Sequence, residues 1–399
     1  MVMKIQSASS SEELARLGPQ WDAAATRPEH DRAGFLGSAA ASKGRVILFV
    51  AGVDGSVPAF APATLSRNPL PLKFGYLRIP SPRVRTLVFG AYCWMGNWDL
   101  DASTEFIREL PRLMAAEGAT MAQFIWTDVR HPVMERLREA HRAAHREVQL
   151  HRSMTLPDAP GDFLTVRMRS KHRSWYRRCQ RTLEEQAGGA VAWRAERAPD
   201  VDAIAPLVES VARVTYQRAI GSGFVDTPAF REMLRGHAEA GRLRIYLLLA
   251  GGAPAGFWIG TVYGETFHSM CTGYRPEFRD HAVGTQVFVR MVDSLVEEGV
   301  RVLDFGLGDA EYKERFGDSE WQDATVIIYS GSLSGIASRV SVASVAAVRR
   351  AAEAVARRTG VLQKVKTAWR QRRQRALLQA DASKADSAEE SKPEGGAPG

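Results

Sequence analysis

The side chains and turns best suited to chemistry lie between Thr266 and Lys313. Arg279-Asp280-His281-Ala282-Val283-Gly284-Thr285 is a turn that leads into an amphipathic run ending near Glu298. The first N–H groups of such a helix lack intrahelical partners and carry the positive end of its dipole, so the turn can hold a phosphate or diphosphate. Val300 to Phe305 reads as a strand that leaves through Gly306-Leu307-Gly308-Asp309-Ala310-Glu311-Tyr312-Lys313, a loop with acids, a phenol and an amine close together. Asp304 sits inside the apolar strand, where a carboxylate must be paired or hydrogen-bonded, and Lys313 is near enough in sequence to be its partner. Asp309 can serve the site or cap the turn Ala310 to Phe316. His268 can act as a base or be a satisfied core residue. Trp258, alternating with Phe257 and leading to Tyr263, can line an acceptor groove or pack in the core.

These residues need a scaffold, and two similar halves supply it. In the first, helical spacing covers Ser11 to Ala25, and a hairpin spans Arg45 to Leu65 with its turn at Asp54-Gly55. Strands are expected at Lys73 to Ile79, Thr86 to Tyr92, Met121 to Thr127 and Glu147 to Met154, with helices at Ser103 to Glu117 and Val133 to Ala144. Pro157-Asp158-Ala159-Pro160-Gly161 marks a seam. The second half opens with a basic helix, Val166 to Gln186, and a strand at Ala190 to Glu196. Helices at Val201 to Gln217 and Pro228 to Ala240 follow, the latter capped by Asp226 or Thr227. Strands at Leu243 to Ala250, Ala255 to Tyr263 and Thr266 to Tyr274 precede the anion-binding turn, and Ala324 to Tyr329 is the last. The expected divisions are 1–160, 161–330, a basic helical stretch 331–378 and a small, polar, disordered tail 379–399.

This order of elements, with Arg279, Ala282 and Gly284 at the spacing of a cofactor turn, resembles the GNAT superfamily of acetyltransferases. The pattern Leu303-Asp304-Phe305-Gly306, Gly308-Asp309, Tyr312-Lys313 and Phe316-Gly317, with Leu17-Gly18-Pro19-Gln20-Trp21 near the start, is similar to the CelD-like acetyltransferases and their FemAB relatives. The resemblance spans roughly residues 10 to 330. It implies an α/β protein of mixed sheets made of tandem GNAT-type folds, the first half a scaffold that binds acceptor and the second the acyl-CoA-binding domain, followed by a C-terminal basic helical tail. It further implies an acyl-CoA-dependent N-acyltransferase, acetyl-CoA being the default donor. Cys271, Thr272, Arg279, Ala282, Val283, Gly284 and Thr285 would hold the cofactor, the main chain around Met270 to Thr272 polarising the carbonyl. Asp304, Asp309, Tyr312 and Lys313 would do the chemistry, Tyr312 giving the departing thiolate its proton, unless it is packed between helix and sheet. Trp258 and His268 would meet the acceptor, with a sugar or polysaccharide precursor suggested by the family.

Composition narrows the field. The chain has 399 residues, a net charge of +8 and three scattered cysteines, Cys93, Cys179 and Cys271, which fit no metal spacing and need no disulfide. We expect no metal and a cytoplasmic protein, since the N-terminus lacks a signal-peptide core and no run is apolar enough to span a membrane. Between Gly331 and Ala376 eleven basic residues face a single Glu353, a net of +10, so the rest of the chain is near neutral. The catalytic body is thus no polyanion binder by charge, and nucleic acid is expected only if the protein is a FemAB-like tRNA-dependent aminoacyl transferase acting on a cell-wall precursor. Arg167 to Arg181, with Trp175 and Tyr176, is the stretch that would serve that alternative. In the tail, Leu362, Val365 and Trp369 share a face among Lys and Arg and could rest on an anionic membrane. A third reading is therefore a non-catalytic, membrane-associated binding module.

Overall fold

A computed structural model describes residues 4–52, 58–74, 77–141, 144–215, 218 and 223–358. Runs rich in Val, Ile, Leu and Phe make the strands: β1 Lys4–Ala8, β2 Arg45–Gly52, β3 Ala59–Pro69, β4 Lys73–Phe74, β5 Leu77–Arg78, β6 Arg83–Phe89, β7 Met95–Gly96, β8 Met121–Asp128, β9 Ala144–Thr155, β10 Val191–Arg197, β11 Leu243–Ala250, β12 Ala253–Tyr263, β13 Thr266–Tyr274, β14 Val302–Leu307 and β15 Ser319–Tyr329. The expected bounds of β11 and β13 match; the other expected strands shift by up to five residues at an end, and β1 and β7 were not expected. Lys73 to Ile79 instead gives β4 and β5, a separate two-stranded ribbon. The helix expected to reach Gln217 ends at Ala212. The expected turn at Asp54-Gly55 lies outside the described residues. So do 359–378 of the basic stretch and the whole of 379–399.

The main sheet runs β1-β2-β3-β6-β8-β15-β9-β14-β13-β12-β11-β10, with β7 beside β3. From either end the pairings are three antiparallel, one parallel and one antiparallel, meeting at the antiparallel pair of β15 with β9. The two halves are thus related as a palindrome, and each lends its last strand to the other. β9, from the first half of the chain, lies against β14; β15, from the second, lies against β8.

Helices cover both faces, burying their apolar stripes. Leu100–Ala116 and Pro132–His141 close over Phe49, Phe89 and Phe124 on one face of the first half, while Trp21 of the helix Ser11–Ala24 packs on Leu48 and Phe60 on the other. In the second half Ser170–Gln186 and Val283–Glu297 share a core with Tyr246 and Phe267, and Val201–Ala212 with Pro228–Glu239 share one with Ile245 and Ile259. The long basic helix expected from Val166 is two, Phe163–Arg167 and Ser170–Gln186, because Met168 turns extended and buries its side chain between them. Thr227 caps Pro228–Glu239, and Asp226 pairs with Arg231 instead.

Candidate functional site

β13 and β14 run parallel only from Thr266 to His268 opposite Val302 to Asp304. Past that point β13 stays with β12 while β14 follows β9 at Gly306 and Leu307, so the two strands part. Met270 is an extra residue at the opening, since Ile259 faces Cys271 and Gly260 faces Ser269, and a bulge of this kind re-aims the main chain. The chain then passes through a 3₁₀ turn, Pro276–His281, into the helix Val283–Glu297. Among the described residues no side chain caps that helix, which leaves the first amides, at Val283, Gly284 and Thr285, available to an anion.

The turn is braced from behind. Gln286, buried, donates to the His281 carbonyl (2.9 Å), and Thr182 Oγ1 lies 3.0 Å from His281 Nδ1, tying the turn to the helix Ser170–Gln186. Ala282 stands in the left-handed region (φ 51°) that favours glycine. A Cβ on Gly284 would come within 2.9 Å of the Tyr274 ring, so only glycine leaves that approach undisturbed. Arg279 is exposed at the same turn. Thr272 Oγ1 donates to the Phe257 carbonyl, and the Cys271 thiol, packed with the opposite core, is pushed up to about 12 by burial. Of Cys271, therefore, only the main chain is suited to a ligand.

The loop after β14 departs from expectation at several residues. Lys313 Nζ donates to the carbonyls of Leu307 (2.6 Å) and Gly306 (3.4 Å), and burial lowers it to about 8. It closes the loop and is not the partner of Asp304. Asp309 is 76% exposed and pairs with Arg152 (2.8 Å); the helix Glu311–Phe316 has Ala310 at its cap position and no side-chain cap, so Asp309 does not cap it. Tyr312 packs edge-on to Trp258 and Phe305, with ring centroids 5.6 and 5.7 Å away. Burial pushes its hydroxyl up to about 12, which keeps it a proton donor. Trp258 is 3% exposed and donates to Ser269 Oγ (2.9 Å), so it is a core residue and not the wall of a groove.

Where β13 and β14 part, a buried polar chain begins. His268 Nδ1 lies 3.1 Å from Asp304 Oδ2, while Asp304 Oδ1 accepts from the Gly306 amide (2.7 Å) and sits 2.5 Å from His151 Nε2. His151 Nδ1 is 2.5 Å from Asp323 Oδ2, to which the Tyr92 hydroxyl also donates (2.5 Å). Arg27 lies over the Tyr92 ring at 3.6 Å, with Nη2 3.5 Å from Asp304. Trp321 stacks on His151 (4.2 Å) and donates to Asp323 (3.1 Å). A carboxylate beside each ring nitrogen favours the charged form of His151, in which both nitrogens donate. Burial works against that charge, but the hydrogen bonds to Asp304 and Asp323 outweigh it and raise the group. Burial likewise opposes the Asp304 charge, and the two histidines hold it far below the usual carboxylate range. His30 donates through Nε2 to the Tyr92 carbonyl (2.6 Å), and burial drives it down to about 4.

Arg27, His30, Tyr92, His151, Trp321 and Asp323 were not legible as site residues. The available signal was weak: His151 and Asp323 sit among other polar residues of β9 and β15, and nothing local says which strands adjoin. His268, by contrast, has its Nδ1 held by Asp304 and its Nε2 buried with no hydrogen-bond partner among the described residues. The first half shows what the site lacks when closed. Its equivalent helix, Leu100–Ala116, is capped by Asp99, whose carboxylate accepts from the Ala102 amide (2.8 Å), and a negative charge there repels phosphate.

The comparisons with known proteins agree with this geometry. The palindromic mixed sheet contains one segment with a recognisable family. Within it, residues 170–314 match the family model described as acetyltransferase (GNAT) domain. A search of curated proteins finds no match. Among solved structures, FemX is 11% identical, with a TM-score of 0.54 over 81% of this chain and 97% of that one, which shows a shared fold. A tandem GNAT protein from the clavulanic acid biosynthesis pathway is 10% identical over 83% and 99% of the two chains (TM-score 0.45). L-PGS from Bacillus licheniformis is 13% identical over 82% and 96% (TM-score 0.47). Fold and domain together support a transferase of the acyltransferase class.

Proposed function

We propose that the chain is an acyl-CoA-dependent N-acyltransferase, with acetyl as the default group, acting on an amine acceptor. One observation carries this reading: the mouth between β13 and β14 opens beside an uncapped helix start. The residues fit an acyl-CoA, since Val283 to Thr285 offer free amides and Gly284 keeps the approach open. When bound, the donor supplies an activated thioester carbonyl. The bulged main chain at Met270 to Thr272 is placed to polarise that carbonyl. His268 keeps its Nδ1 proton against Asp304, so Nε2 presents a lone pair that can take the amine's proton. Tyr312 stays protonated at neutral pH and can return a proton to the leaving thiolate. Resemblance to the CelD-like group points to a sugar or polysaccharide precursor as the acceptor.

One observation favours FemAB-like, tRNA-dependent aminoacyl transfer as a second reading. Lys171, Arg178, Arg315 and Trp175 surround an open concavity of about 730 Å³ on the basic helix, a combination that suits phosphate and a stacked base. Calorimetry separates the two. Acetyl-CoA and desulfo-CoA should bind, and Gly284→Glu should abolish binding in a folded protein; a salt-sensitive tRNA complex with no response to acetyl-CoA would favour the second reading instead. Absence of acylation by the wild-type chain in every assay, with membrane recruitment intact, would point to the binding-module reading.

A further inference from the structure

The helix Leu333–Arg358 follows β15 and has an unusual distribution of side chains. At 1.5 Å per residue it is about 39 Å long. It packs on the sheet through Gly335, Ser338 and Val342, all buried. Its opposite face is not polar. Leu333 (88% exposed), Ile336 (52%), Val340 (58%) and Val348 (62%) project outward. Among the described residues, only Val166 is another large apolar side chain more than half exposed, so this exposure is concentrated on one stripe. Spacings of three, seven and fifteen residues from Leu333 place all four on one side of an α-helix.

A contiguous exposed apolar stripe marks an interaction surface. Charge decides which. Arg339 and Arg350, both exposed, flank the stripe, and the sequence from Gly331 to Ala376 carries +10. A second copy packed about a two-fold axis would add an identical set of positive charges to the same interface, which is repulsive. Anionic headgroups would neutralise them. No described helix is long and apolar enough to cross a bilayer, so the contact lies along the surface. We propose that the outer face of this helix docks on a membrane bearing anionic phospholipid. Leu333, Ile336, Val340 and Val348 enter the boundary between headgroups and acyl chains, and Arg339 and Arg350 engage phosphates. The site is independent of the acyl-transfer chemistry.

Co-sedimentation of the full chain with phosphatidylcholine vesicles, with and without phosphatidylglycerol as roughly a third of the lipid, tests this. Binding should be about tenfold or more tighter with the anionic lipid and should weaken as salt is raised. Arg339→Gln and Arg350→Gln should each lower affinity about fivefold. Leu333→Asp should lower it about tenfold with Tm unchanged, because that side chain touches almost nothing; Ile336→Asp gives a second, independent reading of the stripe. Equal binding to both vesicles, no binding to either, or wild-type binding by Leu333→Asp overturns the proposal. So does a lipid-free dimer that Leu333→Asp dissociates.

Discussion

His151 is held between two carboxylates, and its surroundings make the strongest residue-level predictions. Breaking a buried pair by removing one partner costs about 3–5 kcal/mol, so Asp304→Asn should lower stability by that order in a denaturant titration. The pH dependence follows from the two shifts. His151 is raised, so its contribution is complete below its unfolded value near ~6.5 and fades as pH climbs through the higher folded value. Asp304 is lowered, so its contribution is complete above an unfolded value near ~3.9 and fades as pH falls. The stability gap between wild type and His151→Gln should therefore shrink from about pH 6.5 upward; a gap that stays constant to about pH 9 contradicts an imidazolium in the folded state. On the catalytic reading, His268→Gln should slow turnover about 100-fold or more while leaving acetyl-CoA affinity nearly unchanged. Ala282→Gly should stabilise by about 1 kcal/mol, seen as a small rise in Tm, because glycine adopts φ 51° without the steric penalty alanine meets.

At the scale of elements, the contrast between the two equivalent helices can be turned into an experiment. Leu100–Ala116 is capped by Asp99, whereas Val283–Glu297 has no side-chain cap. Thr285→Glu places a carboxylate in the first turn, where it suits the helix dipole and adds about 0.3–1 kcal/mol, yet it opposes a diphosphate at the same amides. Tm should hold or rise while acetyl-CoA affinity falls about tenfold or more by calorimetry. A variant that binds acetyl-CoA normally would move the anion site away from this helix. The same contrast explains why the chemistry is assigned to one half only, although both contain a parallel strand pair with a helix beyond it.

For the whole molecule the decisive feature is the exchange of β9 and β15. Cutting near residue 160 takes β9 away from β14 and leaves β15 without β8, exposing unpaired edges and the apolar cores beneath them. Fragments 1–160 and 161–330 should therefore aggregate when expressed alone and recover a cooperative transition when co-expressed, as followed by circular dichroism and sedimentation. A second-half fragment that is soluble, monomeric and cooperative by itself would show that the exchange is dispensable. The exchange also assembles the polar chain, since His151 arrives on β9 and Asp323 on β15, while His268 and Asp304 belong to β13 and β14.

Contiguous residues carried much of this architecture. A short apolar run ending at a glycine turn marks β11, helical spacing marks Leu100–Ala116 and Val283–Glu297, and the turn from Arg279 to Thr285 marks the open helix start, because composition, period and turn chemistry belong to neighbours in the chain. Even the short β1 and the Ala- and Gly-rich helix Arg32–Ala41 escaped such reading, having too little period to register. The pairing of Asp304 with His151 and His268 in place of Lys313, the surface position of Asp309 and the packing of Trp258 were decided by tertiary structure. So were the roles of Tyr92 and Asp323, which lie 231 residues apart yet share a hydrogen bond. Hydrogen-bond partners depend on which strands become neighbours, and that choice is set by the free energy of the whole assembled sheet, not by any local stretch of it.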